Sequence, residues 1–205
     1  MKPLEGLLAG ALFYLLGAIP FSYLLGRIVK GIDIREHGSG NVGATNVGRV
    51  LGWRYYPLAL ALDLGKGLAA GLLARHWGLP IWLAGLAVLG HDWSIFLGFT
   101  GGKGVSTSLG ILAVLSWPAF LGTIAVWGLV LGTTRLASLA SLCALAFSPL
   151  PVFLLSRDLE GVALMGALAL LSIWRHRRNI AQLSRGQEER FSRSRSGSGS
   201  GEKRG

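Results

Sequence analysis

Residues 38–46, Gly-Ser-Gly-Asn-Val-Gly-Ala-Thr-Asn, form a polar, glycine-rich stretch between two long apolar ones. Gly38, Gly40 and Gly43 permit positive φ, so successive backbone N–H groups can converge on an anion. Ser39, Asn41, Thr45 and Asn46 add neutral donors. Arg49, just beyond, can grip a phosphate through two parallel hydrogen bonds. The same composition also suits a mobile surface loop. A second stretch, GHDWSIFLGFTGGKGVST at 90–107, runs Gly101-Gly102-Lys103-Gly104 into an apolar segment at Val105. A glycine turn feeding a helix N-terminus is an anion site, because free N–H groups and the helix dipole face the ligand. Lys103 adds a full charge. This is not a Walker loop, since Leu97 stands at its first glycine position and Gly104 follows the lysine. A tight turn with a snorkelling lysine is the plainer alternative.

Further polar groups interrupt apolar runs. Asp63 and Lys66 lie three apart, on one helix face. Charges inside a span are functional or paired, and a substrate role and a structural ion pair fit them equally. His91-Asp92 is equally open, with a structural hydrogen-bonding role the plainer one for the histidine. Thr134, Ser138 and Ser141 form one helical stripe with Arg135 beside it, although small hydroxyls also serve packing in membrane helices. His176 and Asn179 share a face where the last apolar segment ends, and a basic flank would read the same. There is no Gly-x-Ser-x-Gly elbow, no Ser/His/Asp order and no neighbouring carboxylate pair for acid–base hydrolysis. Cys143 is the single cysteine. It forms no internal disulfide and joins no zinc-binding set, so neither metal nor cofactor is expected.

The elements that must position these groups are membrane helices. Of the 205 residues 51% are hydrophobic and 15% charged, with a mean hydropathy of +0.52. Spanning a bilayer takes about 20 apolar residues as helix. Apolar segments fall near 4–25, 56–76, 79–98, 105–116, 118–132, 136–155 and 159–174. The first lacks a basic n-region and a clear cleavage site, so it reads as a retained helix. The fourth and fifth are short, parted at Ser116-Trp117-Pro118. The expectation is an all-α, polytopic bundle of about seven transmembrane helices, two of them short. Residues 1–190 form one membrane-embedded domain and 191–205 a disordered, low-complexity tail.

Charge decides between two topologies. If 105–132 is one kinked span, there are six spans and the C-terminus lies opposite the 26–54 loop. If it is a hairpin, 26–54, 99–104, 133–135 and the C-terminus share one side. That side then collects Arg27, Lys30, Arg35, Arg49, Arg54, Lys103, Arg135 and the basic tail, against Lys2, Arg75 and Arg157 opposite. The positive-inside rule prefers the hairpin, with the N-terminus outside and the C-terminus cytoplasmic. The same rule accounts for the net charge of +10 without nucleic acid. GxxxG pairs at Gly6/Gly10, Gly67/Gly71 and Gly128/Gly132 suit close helix packing. Trp53, Trp77, Trp93, Trp117 and Trp174 fall near span ends, as in an aromatic belt. Taken together, these features describe a membrane protein that binds phosphorylated small molecules at one surface.

The motifs resemble those of the bacterial acyl-phosphate-dependent glycerol-3-phosphate acyltransferases, the PlsY family. GSGNVGATNVGR (38–49), GHDWSIFLGFTGGKGVST (90–107) and RHRRNIAQLSRGQE (175–188) carry the likeness, with DLGKG (63–67) and TRLASLAS (134–141). Thr100, Ser106 and Gln182 depart from residues frequent in that family. The resemblance implies acyl transfer from an acyl phosphate to the sn-1 hydroxyl of glycerol 3-phosphate, at the cytoplasmic face of the bacterial inner membrane. The products would be lysophosphatidic acid and phosphate. It also implies membrane lipids as surroundings and the enzyme that makes acyl phosphate as a partner. The expected catalytic residues are Ser39, Asn41, Arg49, Lys103, His176 and Asn179. Gly38, Gly40, Gly43, Thr45, Asn46, Gly101, Gly102, Gly104, Ser138 and Ser141 are expected to bind substrate. An organophosphate transporter using the same loops is the alternative, but it should place its sites at the midplane on broken, repeated helices.

Overall fold

The computed structural model describes residues 3–191. Its regular elements are helices: α1 (Pro3–Ala18), α2 (Phe21–Lys30), α3 (Ala44–Leu51), α4 (Tyr56–His76), α5 (Gly85–Asp92), α6 (Val105–Leu115), α7 (Trp117–Thr134), α8 (Ala137–Phe147), α9 (Pro149–Ser156), α10 (Leu159–Arg175) and α11 (Arg177–Ser184). No strand occurs among the described residues. Among the described residues, four helical runs are long and apolar enough to cross a membrane: Pro3–Lys30, Trp53–His76, Trp117–Thr134 and Ala137–Ser156. Ile81–Asp92 and Val105–Leu115 are shorter apolar helices.

Three boundaries differ from the hydropathy reading. The 79–98 segment stops being helical at Asp92, because the next residues fold into a turn. Gly98 and Phe99 both have positive φ, and a bridge joins Ser94 to Thr100. The fifth segment is not short: α7 has 18 residues. Pro118 lies in its first turn, where proline costs no hydrogen bond, and Ser116 caps it by accepting from Ala119 N at 3.4 Å. Finally, 136–155 divides at Ser148 into α8 and α9.

The short helices are held along their backbones. Gly17 of α1 faces the Ala87 carbonyl of α5, and Gly90 of α5 faces that of Tyr14. Gly67 of α4 faces the Thr107 carbonyl of α6, and Gly110 of α6 faces that of Leu64. A Cβ at any of these positions would overlap backbone atoms. This is the close approach that small residues allow in lipid. Gly128 and Gly132 of α7 instead meet nothing within 4 Å, so this pair points away from the bundle. Phe13, Val88, Ile111, Leu112, Leu145 and Met165 fill the main core. Leu7, Leu129, Leu154 and Leu170 are exposed on outer helix faces, as lipid-facing residues are.

Contacts among the loops choose between the topologies. Arg49 reaches Glu189, Lys103 reaches Asn179, and Phe191 N donates to Arg135 O at 2.7 Å. The 26–54 loop, the 99–104 loop, the turn at Arg135 and the C-terminal segment therefore meet at one end of the bundle. At the other end, Arg75 donates to Val114 O at 3.0 Å and Trp82 N to Glu160 Oε1 at 3.4 Å. So α6 leaves the first end and α7 returns to it, as the hairpin requires. Phe191, the first residue assigned to the tail, packs edge-on against Trp53 and Tyr56. The remainder of that tail, 192–205, lies outside the described residues.

Candidate active site

The first loop is built around a buried amide. Asn46 Nδ2 donates to Ile34 O and His37 O, both at 3.1 Å, and Oδ1 accepts from Ser39 N at 2.9 Å. Gly38, at φ 59°, is pressed so close that a Cβ would overlap Asn46 Oδ1. Asn46, expected to meet substrate, thus spends its side chain on holding the loop. Beside it, Asp33 caps the turn Ile34–Glu36 and binds Arg35 through both carboxylate oxygens, at 2.7 and 3.0 Å. The Arg35 hydrogen bonds hold the Asp33 carboxyl down at about 2. Arg35 Nη1 also reaches Thr100 Oγ1 at 3.4 Å. Between the two loops opens a cleft of about 400 Å³, lined in part by Arg35, Gly40, Thr100 and Gly101. Among the described residues, the side chains of Ser39, Asn41 and Thr45 make no hydrogen bond of their own.

The second loop is braced from beneath. Gly102 N donates to His91 O at 3.0 Å. A side chain at Gly101 would strike the His91 and Asp92 carbonyls, and one at Gly102 the His91 ring and Val42 O. Below His91 lies a buried ionic cluster. Lys66 Nζ contacts Asp63 Oδ1 at 3.1 Å, His91 Nδ1 at 2.9 Å and Ile19 O at 3.0 Å, while Ser22 Oγ donates to Asp63 Oδ2 at 3.3 Å. This buried pair ties the α1–α2 junction, α4 and α5 together, which fits the structural of its two readings.

The third group comes from the end of α10 and from α11. Lys103 Nζ donates to Asn179 Oδ1 at 2.6 Å. Burial, with Arg175 and Arg49 nearby, lowers the Lys103 ammonium to about 8 against a raising contribution from Glu188. His176 is 3% exposed, and its Nδ1 donates to Ser172 O at 2.8 Å. That bond fixes the proton on Nδ1 and leaves Nε2 as the acceptor. Burial, with Lys103 adding, pushes the imidazole down to about 4, so it is neutral at pH 7. Lys103, His176, Asn179 and Arg49 thus come together. Arg49 meets Glu189 through Nε–Oε2 at 3.5 Å and Nη2–O at 3.1 Å.

The hydroxyl stripe is already engaged. Ser138 N and Oγ both donate to Glu188 Oε1, at 3.2 and 2.5 Å. Ser141 Oγ donates to Ala137 O at 2.8 Å and accepts from Trp127 Nε1 at 3.4 Å. Thr134 Oγ1 bonds within its own turn. Sequence reasoning missed Glu188 and Glu189 as partners of Ser138 and Arg49. It also read Arg175 only as part of a basic flank. The i, i+4 spacing of Arg175 and Asn179 was the available signal, since it puts both on one face.

Comparison with known proteins gives the family. The family profile described as "Glycerol-3-phosphate acyltransferase" matches residues 7–186. A protein of that name from Desulforudis audaxviator (strain MP104C) is 45% identical over 195 residues, covering 94% of this chain and 98% of its own. One from Synechococcus sp. (strain CC9902) is 44% identical over 192 residues, covering 92% and 96%. Among solved structures, PlsY (YgiH), an integral membrane glycerol 3-phosphate acyltransferase, superposes in its glycerol 3-phosphate form with TM-score 0.86 at 38% identity, covering 92% of this chain and 96% of that one. Its lysophosphatidic acid form gives TM-score 0.84 at 37% identity, with the same coverage. With the two glycine loops, Lys103 and His176 inside the matched span, the chain belongs to the glycerol-3-phosphate acyltransferase family.

Proposed function

We propose that this protein transfers a fatty acyl group from an acyl phosphate to the sn-1 hydroxyl of glycerol 3-phosphate, releasing lysophosphatidic acid and inorganic phosphate. The observation that carries this reading is the meeting of Lys103 and Arg49 with a neutral, Nε2-accepting His176 beside two glycine loops. Both substrates carry phosphate, so two anion-holding regions are needed close together. An acyl phosphate is a mixed anhydride and already activated. Positioning and charge stabilisation then do most of the work, with no covalent acyl-enzyme. The acceptor oxygen attacks the carbonyl carbon, the carbonyl carbon–oxygen bond to phosphate breaks, and the departing phosphate takes the hydroxyl proton. His176 Nε2 accepts a hydrogen bond from the other hydroxyl of glycerol 3-phosphate and so orients the acceptor, whose own proton stays free for the phosphate. Ser39, Asn41, Thr45 and the backbone of both loops hold phosphate oxygens, Lys103 and Arg49 neutralise charge, and Asn179 holds Lys103 in place. The acyl chain lies between helices and enters from the bilayer. The charge asymmetry turns this end of the bundle toward the bacterial cytoplasm, where the enzyme that makes acyl phosphate would deliver its product.

The test uses purified protein with glycerol 3-phosphate and palmitoyl phosphate, following phosphate release and lysophosphatidic acid by mass spectrometry, with palmitoyl-CoA in a parallel tube. Product with the acyl phosphate alone supports the reading, and product with the thioester overturns the donor. If folded protein forms no product with either donor, the reaction is wrong. Radiolabel uptake into sealed vesicles then tests the transporter.

A further inference from the structure

Arg175 closes off α10, and its guanidinium collects carbonyls. Nη2 donates to Gly102 O at 2.6 Å, Asp92 O at 3.1 Å and Gly101 O at 3.3 Å, and Nε donates to Gly102 O at 3.1 Å. The plane lies over the Trp93 ring, 5.0 Å from its centroid. We propose that Arg175 is a positioning residue: it sets the sense of the Gly101–Lys103 turn and thereby presents Lys103 to the reacting phosphate. The proposal rests on the acyltransferase reading above.

Two geometric facts carry it. In a planar trans peptide the C=O and the following N–H point in opposite directions. With the Gly101 carbonyl turned to Arg175, the Gly102 N–H points away and finds His91 O at 3.0 Å. With the Gly102 carbonyl turned there too, the Lys103 N–H points away from Arg175. One guanidinium thus fixes both peptide units preceding Lys103. Four residues on, Asn179 grips the Lys103 ammonium at 2.6 Å. The C-terminal end of the bundle therefore holds Lys103 by its backbone and by its side chain.

The second fact concerns Asp92. Its carboxylate is fully buried, neither oxygen has a hydrogen-bond partner, and Arg175 Nε stays 3.7 Å away. Charge-assisted Arg–carboxylate pairs close to about 2.8 Å and are commonly bidentate. Here the guanidinium spends its N–H groups on the turn, and the carboxyl lies beside it without a hydrogen bond. Neutralising Asp92 does not explain where the donors point; holding the turn does.

The experiment compares wild type with Arg175→Gln, Arg175→Lys, Asp92→Asn and the double variant Arg175→Gln/Asp92→Asn. Each is purified and followed by kcat, KM, thermal unfolding and hydrogen exchange of the 100–106 amides. Arg175→Gln should cost about 100-fold in kcat, the scale of a misplacement near 1 Å, and should unfold at lower temperature because the Gly101, Gly102 and Asp92 carbonyls lose their donor. Asp92→Asn should keep kcat within about threefold, since no donor is lost. The double variant should recover neither kcat nor thermal stability, with faster exchange at 100–106. Arg175→Lys, which lacks the planar fork, should also fail to restore kcat. If kcat returns in the double variant, or if Arg175→Gln stays active, the proposal is overturned. If wild type itself forms no product, the acyltransferase reading fails. Exchange at 100–106 then still decides whether Arg175 holds the turn: protection unchanged in the double variant overturns it.

Discussion

Lys103 is where structure makes the sharpest kinetic demand. Its ammonium is mostly buried, held by Asn179, and near Arg49 and Arg175, which together place its ionisation at about 8. At pH 7 the free enzyme is then about 90% charged, at pH 8 about half, and at pH 9 about 10%. If the charged form stabilises phosphate in the transition state, kcat/KM falls about tenfold between pH 7 and pH 9. Bound phosphate favours the ammonium, so the alkaline limb of kcat should lie above that of kcat/KM. Lys103→Ala should cost about 10²- to 10³-fold, the scale of losing one preorganised donor to developing charge. Lys103→Arg is the discriminating variant. A guanidinium stays charged throughout, so whatever activity remains should be flat where wild type declines. The assay is initial-rate phosphate release from an acyl phosphate across pH 6–9.5, with donor stability measured without enzyme. Wild-type kcat/KM level to pH 9.5, or an alkaline limb surviving in Lys103→Arg, would refute the assignment of that ionisation to Lys103.

The other expectations are structural. Gly102→Ala should abolish turnover, because the new Cβ meets the His91 ring and Val42 O, whereas Gly128→Ala should match wild type because nothing lies near it; parallel rate and melting measurements separate the two. Asn46→Ala removes three hydrogen bonds from the first loop and leaves buried carbonyls unpaired, a loss of about 2–4 kcal/mol visible in thermal unfolding. His176 is held neutral, its ionisation lowered from 6.5 to about 4. The stability this contributes is fully present above pH 6.5 and is lost as pH falls toward 4, by about 3 kcal/mol. A Tm series over that window should show a steeper fall in wild type than in His176→Leu.

Hydropathy located all seven apolar segments, because lipid demands long apolar runs whatever packs against them. It misjudged the run after Asp92, where apolar Ile95, Phe96 and Leu97 continue while the backbone turns back on itself. Composition pointed to both glycine loops but not to which side chain faces inward. Asn46 and Asn41 look alike in sequence, yet Asn46 alone is fully spent on the loop's own backbone. Ser138 read as a substrate-binding hydroxyl because its partner, Glu188, lies 50 residues on, in the irregular segment after α11. Arg175 was hidden for a different reason: its partners are carbonyls, which carry no residue-type signature. The GxxxG pairs show the same limit, since spacing marks a surface that permits close approach without saying whether a helix uses it.

The shortness of α6 has a consequence for the chemistry. It has 11 residues, α4 has 21, and Arg75 near the end of α4 bonds Val114 near the end of α6. With those ends level, all the difference in length falls at the opposite end. Gly67 packs on Thr107, and Thr107 Oγ1 donates to Asp63 O at 3.0 Å, so the start of α6 stands level with the middle of α4. About six more residues of α4, or about 9 Å of rise, continue past it to Tyr56. The Gly101–Gly104 turn is therefore recessed below the rim of the bundle and does not project from it. With the rim of the bundle at the headgroups, as the proposed function requires, a polar turn at that depth meets the edge of the hydrocarbon. There a phosphate can be bound by backbone and cation while its acyl chain stays among helices, so neither end of an amphiphilic donor must leave the solvent that suits it.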